Sequence, residues 1–276
     1  MDRKVLIILL FLVLLAACTA NGTDYSEKSK LVVVASVDYE DLVSGEGHEN
    51  LPPLLELLDR HGADTTFFVL GATADRDPEG LVEISRRGHS IGLHTYYHNF
   101  VIFDREGAAM LGELYERDPD EIWNRSFKTE EAFYNDIKAT QKAVFRAVNK
   151  TPVVFRSPSL ASNWAADKRY FAVLELAGIK VDSSIKQDFE NPRPFYAEGR
   201  IMEVPVVASE KRLDDLPKSL ELAEKCAYYG VPLVLYIHPQ NMDSERMEYL
   251  ENYLNSLEDR YEVAYIKVED VPDHFT

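Results

Sequence analysis

The chain has 276 residues, of which 47 are acidic and 30 are basic, and its formal net charge at pH 7 is -17. This surplus of negative charge argues against nucleic acid or another anionic polymer as a partner held by charge. The length fits one α/β domain of barrel size without a second core.

The N-terminus has the pattern of an export signal. Arg3 and Lys4 precede an apolar run at 5–17, which is shorter than the about 20 residues of a bilayer-spanning helix. The run ends in Leu-Ala-Ala-Cys at 15–18, which resembles the lipobox of exported lipoproteins. We therefore expect residues 1–17 to be a signal peptide and Cys18 to carry a lipid anchor, on a membrane face toward the cell exterior or periplasm. Ordinary cleavage of a soluble signal is the main alternative.

The segment that follows the signal is polar and without apolar periodicity. It predicts a flexible tether at 18–30 that joins the lipidated N-terminus to the domain. With Cys18 lipidated, Cys226 is the last thiol and no intrachain disulfide is possible. We expect Cys226 to be a small buried side chain on a helix.

Strand and helix patterns alternate over residues 31–276. Apolar, β-branched runs predict strands at 31–37, 65–70, 89–93, 152–155, 179–181, 201–207, 233–237 and 263–266. Amphipathic patterns predict helices at 52–61, 78–87, 130–149, 169–177, 217–229 and 245–257. Four of these helices are followed by a glycine that can close them in a left-handed conformation: Gly62, Gly88, Gly178 and Gly230. The alternation predicts parallel strands covered by helices in one barrel-like domain.

Metal-binding side chains lie near two predicted strand ends. Asp38 and Glu40 are two residues apart, so both can point to one face of their strand. His94 and His98 are four apart and share a face if the chain turns helically after residue 93. Two imidazoles and one carboxylate suit a divalent metal and leave a position for water, while the other carboxylate can serve as the base of that water.

Three further strand ends carry groups that can support such chemistry. Arg156 is always charged and suits a carboxylate that must stay ionised. His238 can act as a general acid if a carboxylate such as Asp182 fixes its tautomer. In barrels of this kind the reacting groups lie at the C-terminal ends of strands. The shared location therefore favours one catalytic site over unrelated surface ion pairs.

With these motifs, the chain resembles the polysaccharide deacetylases with NodB homology, carbohydrate esterase family 4. The likeness extends from residue 31 to about 271 and includes LLELLDRHG at 54–62, TFFVLG at 66–71 and RGHSIGLH at 87–94. It implies a distorted (β/α)7 barrel of TIM type and a metal-dependent hydrolysis of N-acetyl groups on a glycan. Carried over position by position, it implies roles for six residues: a catalytic base at Asp38, metal ligands at His94 and His98, a support for the base at Arg156, and an acid-side pair at Asp182 and His238.

The first motif departs from the family pattern. Many members carry two adjacent aspartates there, whereas Tyr39 stands in the second place here. We assign the carboxylate ligand to Glu40, with Asp41 as the alternative. Ser183 lies near the place where a tryptophan often lines the sugar site. Zinc is the expected metal, and cobalt, nickel or manganese also suit such ligands.

A stretch at 99–128 is longer than the family's usual connection after the second histidine. It contains five of the chain's larger aromatic side chains: Phe100, Phe103, Tyr115, Trp123 and Phe127. We expect a self-packed surface insertion, with a lid, a sugar platform or an oligomer contact as alternatives. Trp164 is a further candidate for stacking on a sugar.

The predicted function is removal of N-acetyl groups from peptidoglycan, a chitin-like glycan or poly-N-acetylglucosamine. The alternatives are an amidase or deformylase acting on a small non-sugar amide, a non-catalytic glycan-binding lipoprotein, and a surface protein that docks a partner through residues 99–128. Binding alone needs neither a base nor an acid, so the presence of both Asp38 and His238 argues against the second alternative.

Overall fold

The structure is a computed structural model, which describes residues 28–41, 44–160, 168–186, 192–197 and 200–275. The predicted signal peptide, Cys18, the tether up to residue 27 and Trp164 lie outside the described residues. None of the helices in the described ranges combines the length and the apolar character of a membrane-spanning segment.

Ten strands in the described part of the chain form one sheet. They are β1 (Lys30–Tyr39), β2 (Thr65–Val69), β3 (Ser90–Leu93), β4 (Val154–Phe155), β5 (Val181–Asp182), β6 (Phe195–Ala197), β7 (Ile201–Glu203), β8 (Ala208–Ser209), β9 (Leu233–Ile237) and β10 (Glu262–Tyr265). All pairs are parallel except β6 with β7. Parallel pairing follows from the helices that connect successive strands.

The helices are α1 (Glu46–Arg60), α2 (Gly71–Arg76), α3 (Pro78–Arg86), α4 (Arg105–Tyr115), α5 (Pro119–Asn124), α6 (Glu130–Val148), α7 (Lys168–Ala177), α8 (Leu216–Tyr229), α9 (Ser244–Arg260) and α10 (Val271–His274). The four glycines predicted to close helices all have positive φ. Cys226 is buried on α8, as expected.

The strand order curls the sheet into a barrel. The order is β6-β7-β5-β4-β3-β2-β1-β9-β8, with β10 beside the first part of β1. β7 pairs with β5 and β8 pairs with β9, although only residues 204–207 separate β7 from β8 along the chain. This short connection joins the two ends of the curled sheet. The predicted α/β class and distorted barrel are therefore confirmed.

Several element boundaries differ from the predictions. The strand predicted at 201–207 ends at Glu203 in β7, and β8 begins only at Ala208, because the chain changes its pairing partner between them: Val204 N donates to Asp182 O and Val207 N donates to Val234 O. The helix predicted to begin at residue 52 begins at Glu46. Strands β6 and β8 and helices α2, α4, α5 and α10 were not predicted. These elements are two to eleven residues long, too short for a clear periodic pattern, and contacts with neighbouring elements fix them.

Two apolar layers surround the sheet. The outer layer lies between strands and helices and includes Val33, Phe67 and Leu58. The inner layer fills the barrel, with Val34, Phe68 and Val234 among its buried members. Strands buried on both faces read as continuous apolar runs, which explains why the sequence signals them clearly.

The insertion at 99–128 packs largely on itself. Helices α4 and α5 enclose a separate apolar cluster that contains Phe100, Leu111 and Ile122. Phe127 joins this insertion to the main core. At the end of α4, the Tyr115 hydroxyl donates to the Ser159 carbonyl at 2.8 Å, so the insertion also contacts the loop after β4.

Candidate active site and metal centre

Glu40 follows β1, and one of its oxygens lies against both predicted metal histidines. Its Oε2 is 2.9 Å from His94 Nε2 and 3.0 Å from His98 Nε2. Asp41 instead accepts hydrogen bonds from the backbone nitrogens of Ser44 and Gly47, at the start of α1. The geometry therefore favours Glu40 over Asp41 as the carboxylate of a metal cluster.

The two histidines converge without the helical turn that their spacing predicts. Thr95 and His98 have φ values of 61° and 60°, which interrupt a right-handed helix between them. The carbonyls of Thr95 and Tyr96 accept hydrogen bonds from the backbone nitrogens of Gly71 and Ala72, each at 3.0 Å, at the start of α2. The helical turn that would place both imidazoles on one face is thus interrupted, because contacts with α2 shape this segment. The imidazoles still meet, with ring centroids 5.3 Å apart.

The hydrogen bonding of His94 leaves its Nε2 for the cluster. Its Nδ1 lies 2.9 Å from the backbone carbonyl of Arg156, which can only accept. Nδ1 therefore carries a proton, and Nε2 either donates a second ring proton to the Glu40 carboxylate or directs a lone pair at it. Two acceptors this close require a cation or a second ring proton between them. Ligand atoms on one tetrahedral zinc ion lie about 3.4 Å apart, so the donor set fits a divalent metal with little adjustment.

Glu40 has a carboxyl group that favours its ionised form. Burial opposes its negative charge, but hydrogen bonds from His94 and His98 outweigh this effect and hold the pKa of the Glu40 carboxyl well below its usual range. A carboxylate that stays charged in a part-buried position is suited to neutralise a metal ion.

Asp38 is held at the end of β1 by a buried arginine. Its Oδ1 accepts from Arg156 Nη1 at 2.7 Å, and Asp38 is only 4% exposed. Arg156 in turn donates to the carbonyl of Ser183 at 3.0 Å and to its hydroxyl at 2.8 Å. The guanidinium lies 4.1 Å from the ring centre of Phe68, at the top of the inner core. These contacts leave Oδ2 of Asp38 facing His238, whose Nε2 is 3.9 Å away.

The partner of His238 is a glutamate that the sequence reasoning missed. His238 Nδ1 lies 3.0 Å from Glu210 Oε1, and Asn241 Nδ2 donates to the same oxygen at 2.7 Å. Burial alone would lower the pKa of His238, but the carboxylates of Glu210, Asp38 and Glu40 together raise it to about 9. They favour the cationic ring that a general acid needs.

Asp182 does not supply this contact. It lies at the end of β5, where its carboxylate accepts from the Tyr170 hydroxyl at 2.8 Å and from the Ser184 hydroxyl at 2.5 Å. It pairs across the sheet with Glu203 of β7. Burial raises the pKa of Asp182 to about 6 and that of Glu203 well above its usual range. The prediction that Asp182 orients His238 was therefore wrong.

Sheet order explains why Glu210, and not Asp182, contacts His238. His238 follows β9, whose neighbours are β1 and β8, whereas β5 lies between β4 and β7. Glu210 comes directly after β8, and Ser209 of β8 is paired with Tyr236. The available signal was an acidic residue close behind the apolar run at 201–207, but its use required knowing that this run ends beside β9.

Comparison with known proteins identifies the class of this chain. The sequence profile of the polysaccharide deacetylase family matches residues 26–181, more than half of the chain, and the chain belongs to this family. The matched part contains Asp38, Glu40, His94, His98 and Arg156. His238 and Glu210 lie beyond it.

The relatives of the chain agree with that class. A peptidoglycan-N-acetylglucosamine deacetylase of Bacillus cereus is 36% identical over 87 residues, which are 32% of this chain and 27% of that protein. The chain thus spans about a quarter of the length of this curated relative. A protein from Mycobacterium smegmatis assigned as a polysaccharide deacetylase has a crystal structure with 18% identity and a TM-score of 0.69, over 90% of both chains. That likeness establishes the fold.

A second solved structure shows the limit of the fold argument. A family 4 carbohydrate esterase pseudoenzyme from Bacillus anthracis is 15% identical with a TM-score of 0.51, over 86% of this chain and 63% of that chain. Because a pseudoenzyme has this fold, activity must be argued from the site itself.

Proposed function

We propose that this protein is a metal-dependent hydrolase that removes N-acetyl groups from a polysaccharide at the cell surface. The observation that carries the proposal is the position of Asp38 and His238 beside the Glu40 cluster. A base candidate and an acid candidate face each other at 3.9 Å, next to three groups suited to hold a metal. Peptidoglycan is the preferred substrate because the curated relatives are named peptidoglycan-N-acetylglucosamine deacetylases; a chitin-like glycan or poly-N-acetylglucosamine are the alternatives.

Glu40, His94 and His98 would hold the metal, with zinc as the expected ion and cobalt, nickel or manganese as substitutes. When bound, the metal would lower the pKa of the attacking water and stabilise negative charge on the acyl oxygen. Asp38 takes the proton of the water through Oδ2, because Arg156 engages Oδ1. Arg156 also keeps this carboxylate in one orientation during attack.

His238 completes the reaction on the other side of the acetamide. Its Nε2 delivers a proton to the departing sugar amine, which is a poor leaving group without one. Glu210 holds Nδ1, so the ring presents Nε2 to the site and its cationic form is stabilised. Asn241 donates to Glu210 and fixes that carboxylate in turn.

We also propose that the protein is an exported lipoprotein anchored through Cys18, because of the lipobox-like motif at 15–18. The described strand β1 begins at Lys30. The about 12 residues between Cys18 and β1 can span at most about 40 Å, which limits the distance between the barrel and the membrane.

Mass spectrometry of acetyl release tests the proposal. The protein is incubated with peptidoglycan fragments, chitooligosaccharides, poly-N-acetylglucosamine oligomers and small N-acyl amides, with and without a chelator. We expect loss of acetyl groups from at least one glycan, abolished by the chelator and restored by zinc. Turnover of the small amides alone would favour the amidase alternative. Glycan binding without acetyl release at any metal concentration would identify a pseudoenzyme.

A further inference from the structure

We infer that Asp38, Glu40 and His238 form a second cation site, which takes a divalent ion of the zinc class in exchange for the Nε2 proton of His238 and blocks the active site when it is filled. The inference rests on the proposed function, because the base and the acid of that reaction become the ligands. It adds an inhibitory role for metal to the catalytic one.

The distances suit a shared ion better than direct hydrogen bonds. Nε2 of His238 lies 3.7 Å from Glu40 Oε1 and 3.9 Å from Asp38 Oδ2. Hydrogen bonds between nitrogen and oxygen are about 2.7 to 3.2 Å long, so these contacts are too long. Two ligands of one tetrahedral ion lie about 3.4 Å apart, close to the observed separations. One ligand atom from each residue lies within 4.8 Å of the others.

His238 and Asp38 each present to the second cation site the one ligand atom that no other side chain engages. Nδ1 of His238 is engaged by Glu210 at 3.0 Å, which leaves Nε2 for a ligand. Oδ1 of Asp38 is engaged by Arg156 at 2.7 Å, which leaves Oδ2. In protein metal sites, a histidine ligand is oriented by a carboxylate that binds its other ring nitrogen. A carboxylate ligand is oriented by a hydrogen-bond donor on its other oxygen.

Glu40 connects the two cation sites through its two oxygens. Oε2 lies between His94 and His98, whereas Oε1 faces His238. Gln240 Nε2 lies 3.4 Å from the same oxygen, Oε1. Carboxylates that bridge in this way hold two ions about 3.5 to 4 Å apart. The long side chain of glutamate lets one carboxylate reach between both sets of ligands.

The second ion should bind more weakly than the first. It shares Glu40 with the first ion, is repelled by the charge of that ion, and lies close to the Arg156 guanidinium. It therefore fills only at higher metal concentration. Once bound, it occupies Oδ2 of Asp38 and Nε2 of His238, the two atoms that move protons. Excess metal should thus lower the rate.

Equilibrium dialysis of the full chain against Zn²⁺, with metal content and deacetylation measured at each concentration, tests the inference. We expect a tight first zinc that activates and a second zinc bound about tenfold or more weakly, as repulsion between neighbouring ions requires. Deacetylation should fall at least about tenfold as the second zinc binds, since both proton-transfer groups are then engaged.

Substitutions assign each ion. His238→Ala should bind a single zinc with the affinity of the tight site, and His238→Gln repeats the test with a longer side chain. His94→Ala should lose the tight zinc. The control is His48→Ala, which removes an exposed imidazole 3.1 Å from Asp77 and should leave both zincs bound. Thermal unfolding of each variant checks that it is folded.

The outcomes separate this inference from the proposed function. A single zinc per chain at every concentration, or two zincs retained in both His238 variants, overturns the second site. If deacetylation then still depends on one zinc, the proposed function stands. Two zincs without deacetylation at any loading would overturn the proposed function and leave the second site in place.

Discussion

Two groups of carboxylates lie at the same end of the barrel, and their surroundings act on them in opposite directions. Asp38 and Glu40 are surrounded by cations or potential cations: Arg156 and three histidines. The described contacts of Asp182 and Glu203 are to hydroxyl groups, to backbone N–H groups and to each other. Burial therefore raises the pKa of Asp182 and Glu203, while the histidines lower that of Glu40.

This difference separates the carboxylates that can take part in the reaction from those that only stabilise the fold. A carboxylate at a strand end becomes a base or a ligand only where a cation keeps it ionised. Without one, burial raises its pKa and it acts as a hydrogen-bonding group of the core. Asp182 and Glu203, paired across β5 and β7, belong to the second kind.

The largest expected effect is the loss of turnover when Asp38 is substituted. Asp38→Asn should lower kcat about 10²- to 10⁴-fold, the usual range for loss of a general base, while zinc content stays unchanged. Acetate release and metal analysis of the purified variant measure both quantities. Asp182→Asn is the matched control and should retain most of the activity. Near-normal turnover in Asp38→Asn would rule out its assignment as the base.

The second-largest expected effect is the loss of activity when Glu210 is substituted. Glu210→Gln should lower kcat about 10- to 100-fold, as is typical when a partner behind an active-site group is lost. Removal of its negative charge should also lower the pKa of His238 from about 9, because a nearby carboxylate stabilises the cationic ring. NMR titration of the metal-free protein measures this pKa. An unchanged value would show that Glu210 does not act on His238.

A smaller effect is expected on the pH dependence of stability. The folded protein holds the Asp182 proton up to about pH 6, whereas the unfolded chain releases it near the ordinary pKa of 3.8. The contribution of this group is therefore complete below the unfolded pKa and is lost as pH rises through the folded one. Asp182→Asn should remove that loss, so its stability relative to the native protein should increase between about pH 4 and about pH 7. Urea unfolding at both pH values measures the difference; a constant difference contradicts the assignment.

The smallest effect is expected for Glu203→Gln. A group that is already protonated is replaced by a neutral one of similar shape, so the free energy of unfolding at pH 7 should change by less than about 1 kcal/mol. The same substitution at Glu210, which is also buried, should impair catalysis. Comparable losses of activity in the two variants would remove the distinction between the two carboxylate groups.

Much of the site could be predicted from the sequence because it depends on short-range patterns. Asp38, Glu40, His94 and His98 occupy two short motifs, and the structure brings all four together. The same patterns did not reveal the bend between the histidines. That bend depends on hydrogen bonds from Gly71 and Ala72, about twenty residues away along the chain.

By itself, the sequence determined the alternation of strands and helices, the class of fold and the strand ends that carry chemical groups. These follow from periodicity and from side chains that are close along the chain. Only the tertiary structure decided which carboxylate meets which histidine, because sheet order places Glu210 beside His238 and Asp182 beside Glu203. The tertiary structure also decided the pKa values of these carboxyl groups, since a carboxyl pKa depends on burial and on neighbours that the folded chain brings into contact.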